Sequence, residues 1–349
     1  MKTAGIYDPY LDTLGGGERY TLTVASCLSK IGYQVDIFWN DKADKKRLEE
    51  RLGIKLERVN FTPDIFKKAG IIKKWRILKK YDFIFYLSDG SIPFLSGQKN
   101  LLHFQVPFHG VGGRSLVNRI KLRKIKAAVC NSNFTKKFID KEYGVSSIVL
   151  YPPVNVKAFK SAQKENIIIS VGRFTDLLHN KRQDVLVEAF KKLNLKDWKL
   201  IIIGGDEEGK KYVANLRKMA KGYPIEIITN PRFDELKIFY SQAKIFWTAA
   251  GFDINEEKEP EKVEHFGITT VEAMAAGCVP VVMKKGGQPE IVKEGINGLL
   301  WEKEKELVEK TLKLIKEPRL LEKLARAAEK KSADFSEERF CQQLKEIIK

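Results

Sequence analysis

Cysteine is scarce and scattered, with only Cys27, Cys130, Cys278 and Cys341 in 349 residues. No two are close enough for a CxxC pair, which argues against a zinc site and against a disulfide framework. Reduced thiols in a cytoplasmic protein are the expectation. Long apolar runs are missing as well. No uncharged stretch reaches the ~18 residues that a membrane-spanning helix needs. Met1-Lys2 leads straight into a strand-like segment, without the apolar core of a signal peptide. Internal repeats and low-complexity tracts are absent. Acidic residues are in short supply, 45 against 63 Lys and Arg, a net charge of +18.

That excess is uneven. Residues 1–155 hold 27 basic and 14 acidic residues, and the rest hold 36 and 31. A field of that sign attracts phosphorylated small molecules, an anionic membrane face or nucleic acid. With 43% hydrophobic and 31% charged residues, the chain is neither disordered nor a membrane bundle, and its length suits two domains.

Short β-branched or aromatic runs alternate with helix-length segments throughout. Strands are expected at 3–7, 34–39, 83–87, 100–104, 127–130 and 147–150, then at 166–171, 199–203, 225–228, 245–248 and 279–283. The alternation marks βαβ units and buried parallel sheets. Two doubly wound α/β domains fit better than one very wide sheet. The break is expected at Tyr151-Pro152-Pro153, giving domains 1–155 and 156–335. The tail from Ser336 reads as a helix with an apolar face of Phe340, Leu344, Ile347 and Ile348, expected to pack back on the first domain. Two facing sheets would bring their carboxyl edges, where such folds bind ligands, to either side of a cleft.

The stretch most suited to chemistry is 264–277, EHFGITTVEAMAAG. A helix starting near Ile268 leaves its first N–H groups unpaired, which suits an anion. Gly267 keeps that end open. Glu264 at the mouth and Glu272 a turn inside could both accept hydrogen bonds from the hydroxyls of a sugar or ribose. Taken alone, a pair of glutamates is more often solvated. The full stretch, however, resembles the carboxylate motif of family 4 retaining glycosyltransferases, which have the GT-B fold of two Rossmann-like domains facing each other across a cleft. The match covers both glutamates, the Phe-Gly after the first and the Glu-Ala-Met-Ala-x-Gly around the second. The resemblance implies that Glu264 holds the transferred sugar, that Glu272 holds the nucleotide ribose, and that backbone groups at Phe266, Gly267, Ile268 and Thr269 approach the sugar and diphosphate.

Three further sites follow. Val171-Gly172-Arg173-Phe174 ends a strand, and His179-Asn180-Lys181-Arg182 precedes a helix. Arg and Lys at such a junction suit a diphosphate. The resemblance maps the family's diphosphate cations onto Arg173 and Lys181. The spacing is longer than usual, which implies a small insertion at 175–180 and leaves Arg182 as a competitor for the Lys role. Gly15, Gly16, Gly17 and Glu18 open the first helix after the first strand; glycines there let the backbone reach a phosphate. This run resembles the family's Gly-Gly-x-Glu loop, which serves donor phosphate and acceptor. His103, in Leu102-His103-Phe104-Gln105-Val106-Pro107, matches a family histidine near the reacting centre. Similar runs occur in the lipid-linked-oligosaccharide α-1,2-mannosyltransferases of the family.

Residues 66–80, FKKAGIIKKWRILKK, place Ile71, Ile72, Trp75 and Leu78 among seven Lys and Arg, and 114–126 add a second cluster after a loop at 110–113 that reads as mobile. Such a segment either lies on an anionic membrane or packs its apolar stripe on the sheet, and base rates slightly favour packing. The resemblance implies transfer with retention from a nucleotide sugar, GDP-mannose ahead of a UDP-sugar, to a glycan or polyprenyl-linked acceptor. The enzyme would be cytoplasmic or peripheral on the membrane's cytoplasmic face. No Asp-x-Asp occurs, so neither an obligatory metal nor another cofactor is expected. Two rival classes remain. A basic nucleic-acid binder lacks a recognition motif or stacking platform, so no nucleic-acid partner is expected. A nicotinamide oxidoreductase lacks a GxGxxG fingerprint.

Overall fold

The computed structural model describes residues 1–11, 16–175 and 180–349, with side chains except at 50–52 and 68. The chain forms two compact units. One comprises Met1–Pro153 with Glu337–Lys349, the other Val154–Ser336.

In the first unit the strands are β1 (Lys2–Tyr7), β2 (Tyr33–Phe38), β3 (Val59–Thr62), β4 (Phe83–Leu87), β5 (Lys99–Phe104), β6 (Ala127–Cys130) and β7 (Ile148–Val149). They form a parallel sheet in the order β3-β2-β1-β4-β5-β6-β7. The second unit has β8 (Glu165–Val171), β9 (Lys199–Gly204), β10 (Ile225–Thr229), β11 (Ala243–Thr248), β12 (Val279–Met283) and β13 (Leu299–Trp301). Its parallel order is β10-β9-β8-β11-β12-β13. Both orders reverse beside the first strand, between β1 and β4 and between β8 and β11. That doubly wound topology leaves a ligand crevice at the carboxyl edge of each reversal.

The strands carry near-continuous apolar runs because both faces of each sheet are covered. In β4, Phe83 and Phe85 join one core cluster and Ile84 and Tyr86 join the other. Two strands lie outside the expected set. These are β3 and β13, of four and three residues, which pair with β2 and β12.

The helix Glu337–Ile348 buries Phe340, Leu344 and Ile348 in the first unit's core. Phe340 meets Tyr20 edge-on at 4.9 Å, and Lys99 Nζ donates to the carbonyls of Ile348 and Lys349. This packing overturns the expectation of four reduced thiols. Cys27, on the helix Gly16–Lys30, and Cys341 form a disulfide, with Cα atoms 5.4 Å apart and 314 residues between them in sequence. Spacing along the chain carries no information about a contact made by two helices at opposite ends. Cys130 and Cys278 are free and buried, and burial pushes their thiols up to about 12 and about 11.

Two expectations for the basic segments also change. Residues 66–80 do not form one helix packed by an apolar stripe. Gly70 separates Ile65–Lys68 from Ile71–Leu78; of the second helix only Leu78 is buried, while Ile71, Ile72 and Trp75 are exposed. The 110–113 loop, read as mobile, is strapped down. The Glu142 carboxylate accepts from the N–H groups of Gly110, Val111 and Gly113, which lowers its pKa. Among the described residues no helix is long and apolar enough to cross a membrane.

The thiol pattern is directly measurable. Alkylation of the denatured, unreduced protein adds two labels, at Cys130 and Cys278, and four after reduction, as counted by intact mass. Four labels before reduction would disprove the bridge. Cys27→Ser lowers unfolding free energy by about 2–4 kcal/mol.

Candidate active site in the second unit

The expected donor-site residues collect at the carboxyl edge of the second sheet. β8 ends at Val171 and delivers Gly172 and Arg173 beside the reversal point. Arg173 is exposed. Gln183, buried at the start of the helix Gln183–Leu193, donates its side-chain amide to the carbonyls of Gly172 (3.3 Å) and Arg173 (3.1 Å). Both peptide units are thereby oriented from below.

Lys181 reaches across to the motif expected to bind sugar. Its Nζ donates to Glu264 Oε2 at 2.8 Å, with the two side chains 24% and 19% exposed. The geometry also separates Lys181 from its competitor. Arg182 has its guanidinium on Asp184, through Nε and Nη2, and on the carbonyl of Phe252. That arrangement engages Arg182 structurally and leaves Lys181 as the lysine beside Glu264. The expected insertion falls largely on residues 176–179, which lie outside the described residues, as does His179.

The turn from Glu264 to Gly267 is held from two sides. Gly267, at φ 115°, opens the helix Ile268–Ala275. Behind it, Gly287 N–H donates to the Glu264 carbonyl at 2.8 Å. Gly286 adopts φ 60°, and a Cβ there would sit 2.1 Å from that same carbonyl oxygen, so only glycine fits. Phe266 turns its ring inward against Phe335, so its backbone is the part left at the turn. Thr270 Oγ1 donates to the buried Gln288 amide oxygen at 3.0 Å. Glu272 lies on the second turn of the helix, nearly buried, and takes a hydrogen bond from Tyr240 Oη at 3.2 Å.

The acidic stretch 253–261, for which the sequence offered no role, serves this turn. Glu256 accepts from Gly286 N–H at 2.7 Å, and Lys285 Nζ donates to the carbonyls of Gly251 and Ile254. Gln183, Gln288, Tyr240, Glu256 and Lys285 were all missed in the sequence. Each acts through a contact with residues distant in the chain, which no local pattern records.

The remaining expected residues lie in the first unit. The helix Gly16–Lys30 begins at Gly16 and Gly17, and Glu18 is buried on its first turn; Gly15 lies outside the described residues. His103, on β5, is fully buried. Its ring stacks on Tyr20 at 4.0 Å, its Nδ1 is 3.1 Å from the Val129 carbonyl, and its Nε2 finds no partner among the described residues. Burial lowers its pKa to about 3, so the imidazole is neutral at physiological pH. A ring with no exposed surface cannot touch a substrate in this conformation. Packed between Tyr20 and the Val129 carbonyl, His103 is part of the first unit's interior in this conformation.

These observations define a doubly wound α/β protein with a cation–carboxylate pair at a sheet's carboxyl edge. Solved structures share its fold. A glycosyltransferase from Rickettsia africae superposes with TM-score 0.81 at 21% identity, over 99% of this chain and 97% of that one. Anabaena HepE in complex with UDP-glucose gives 0.73 at 18% identity, over 99% of both. Both sheets and their order are those of the GT-B fold. A family model for glycosyl transferases group 1 matches residues 153–331, and one for glycosyltransferase family 4 matches 14–158. The chain belongs to the group 1 glycosyl transferases, and it is a hexosyltransferase by class. An uncharacterized glycosyltransferase of Haemophilus influenzae is 27% identical over the full length of both chains. The human GDP-Man:Man(3)GlcNAc(2)-PP-Dol alpha-1,2-mannosyltransferase is 29% identical over 69% of this chain, which spans about half (51%) of that enzyme's length. Membership sets aside the oxidoreductase and nucleic-acid readings.

Two outcomes are expected. His103 is neutral when folded well below the pH at which it protonates when unfolded, so its contribution falls as pH drops from 6.5 toward 3, by up to ~1.4 kcal/mol per pH unit. Denaturant melts of His103→Phe and wild type will differ by that slope, and parallel curves would refute it. Gly286→Ala, clashing with the Glu264 carbonyl, destabilises by at least about 2 kcal/mol; a melt unchanged from wild type would show that the turn yields.

Proposed function

We propose that the second unit binds a nucleotide diphosphate sugar, with Arg173 and Lys181 on the diphosphate, Glu264 on the sugar hydroxyls and Glu272 on the ribose. Backbone groups at Phe266, Gly267, Ile268 and Thr269 complete the site, and the first unit, with Gly16, Gly17 and Glu18, receives the acceptor. The observation that carries this reading is the 2.8 Å contact between Lys181 and Glu264. It brings the cation and the carboxylate assigned to adjacent parts of one donor to one place. Binding would exchange this ion pair for contacts to phosphate and hydroxyl, so that neither charge is left unpaired.

In this reading the sugar is transferred with retention. The acceptor oxygen forms its bond to the anomeric carbon on the face from which the diphosphate departs, and a diphosphate oxygen takes the acceptor's proton. The cations then stabilise the charge that grows on the leaving group, which needs no metal. GDP-mannose is favoured as donor on the mannosyltransferase relatives, with a UDP-sugar next, as in HepE. The proposed acceptor is a glycan or a polyprenyl-linked saccharide. Residues 66–80 and 114–126 would rest on an anionic surface, because Ile71, Ile72, Leu116 and Val117 stand exposed among basic side chains. The proposed cytoplasmic location is the feature that the Cys27–Cys341 bridge opposes, since cytosolic thiols are kept reduced.

Thermal-shift and turnover screening across GDP- and UDP-sugars tests the donor. GDP-mannose is expected to give the largest shift, with activity retained in chelator. Arg173→Ala is expected to lower turnover by about 100-fold or more, as for loss of one oxyanion donor. Turnover within a few-fold of wild type would remove Arg173 from this role.

A further inference from the structure

Tyr240 sits near the end of the helix Phe233–Gln242 and is fully buried. Its ring is walled by Phe159, edge-on at 5.5 Å, and by Phe246 at 6.4 Å. A phenylalanine would fill that apolar site without burying a hydroxyl, so the Oη requires a partner. Two acceptors lie within reach, both on the helix Ile268–Ala275: Glu272 Oε2 at 3.2 Å and the Thr269 carbonyl at 3.4 Å. One hydroxyl has one proton to give. The carboxylate is nearer, and a charged acceptor makes the stronger bond. Burial, with Glu272 beside it, pushes the phenol well above its ordinary pKa, so the proton stays on Tyr240.

Glu272 is itself only 6% exposed, so the groups packed around it decide which way its carboxylate faces. Tyr240 comes from a different helix, 32 residues away in sequence, and grips one oxygen. A carboxylate has two oxygens and about four lone-pair sites. The bond from Tyr240 therefore fixes the group and still leaves capacity for the two vicinal hydroxyls of a ribose. Such recognition tolerates displacements of only about 0.5 Å. A polar site held that firmly discriminates against an analogue that lacks the hydroxyls, because its own groups are then left without partners.

We propose that Tyr240 is a positioning residue: it holds the Glu272 carboxylate in line for a vicinal diol and so sets the preference for ribonucleotide over deoxyribonucleotide donors. The inference rests on the reading of Glu272 as the ribose ligand, and the experiment separates the two. Dissociation constants of the full chain are measured for GDP, UDP and their 2′,3′-dideoxy forms. Wild type is expected to bind the better of the two ribonucleotides about tenfold more tightly than its dideoxy form, the size of one hydroxyl–carboxylate hydrogen bond. Tyr240→Phe narrows that ratio to about threefold or less by weakening the ribonucleotide alone. Glu272→Asp, which keeps the charge but withdraws it from Tyr240 by one methylene, narrows it likewise. Adding Tyr240→Phe to Glu272→Ala changes the ratio no further, because the two act as a unit. A wild-type ratio in Tyr240→Phe or in Glu272→Asp, or an equal loss of both nucleotide forms in Tyr240→Phe, would overturn the inference, the last by assigning the phenol to stability alone. A wild-type ratio in Glu272→Ala, or no binding of either nucleotide, defeats the ribose reading itself and the inference with it; a ratio lost in Glu272→Ala but kept in Tyr240→Phe defeats the inference alone.

Discussion

The carbonyl and the carboxylate of a single residue, Glu264, join the loops that make up the second unit's site. The carbonyl accepts from Gly287, where the glycines at 286 and 287 let two backbones touch, and the carboxylate takes Lys181 from the loop after β8. Gly286 is itself held by Glu256, and Lys285 ties the 251–254 carbonyls to the same point. Three loops that leave β8, β11 and β12 are thus cross-braced at the carboxyl edge, where the strand order opens a crevice. Such bracing lets loops, ordinarily the softest parts of a fold, hold charged groups in fixed relation.

The two units use one topology for different chemistry. At the reversal of the second sheet stand an arginine, a lysine and carboxylates, a set suited to a polar, doubly charged ligand. At the reversal of the first stand stacked tyrosines under exposed isoleucines and a tryptophan.

Most of the fold was legible because it is written in local pattern. Apolar runs of strand length separated by helical segments announce parallel sheets, and both units have them. What failed to show were the edge strands β3 and β13, each paired on one side only, and the fate of residues 66–80. Composition there allows either a packed stripe or an exposed one. Gly70 splits the segment, and Ile71 and Ile72 are left exposed. The candidate site was legible where residue types are themselves chemical, as with Arg173, Lys181, Glu264 and Glu272. Gln183, Tyr240 and Gln288 were not, since an amide or phenol earns its place only through what it happens to touch.

The sequence by itself determined the class of fold and the family, and it named the ionisable groups of the candidate site, because periodicity, glycine placement and a run of motif residues are properties of neighbours along the chain. Tertiary structure alone decided the Cys27–Cys341 bridge, the pairing of Lys181 with Glu264 and of Arg182 with Asp184, the burial of His103 beneath Tyr20, and the contacts of the acidic stretch 253–261. Each of these depends on a contact between residues far apart in the chain or on which of two equal charges a carboxylate reaches first. Such distances are set by how helices and loops pack, and no local pattern records them.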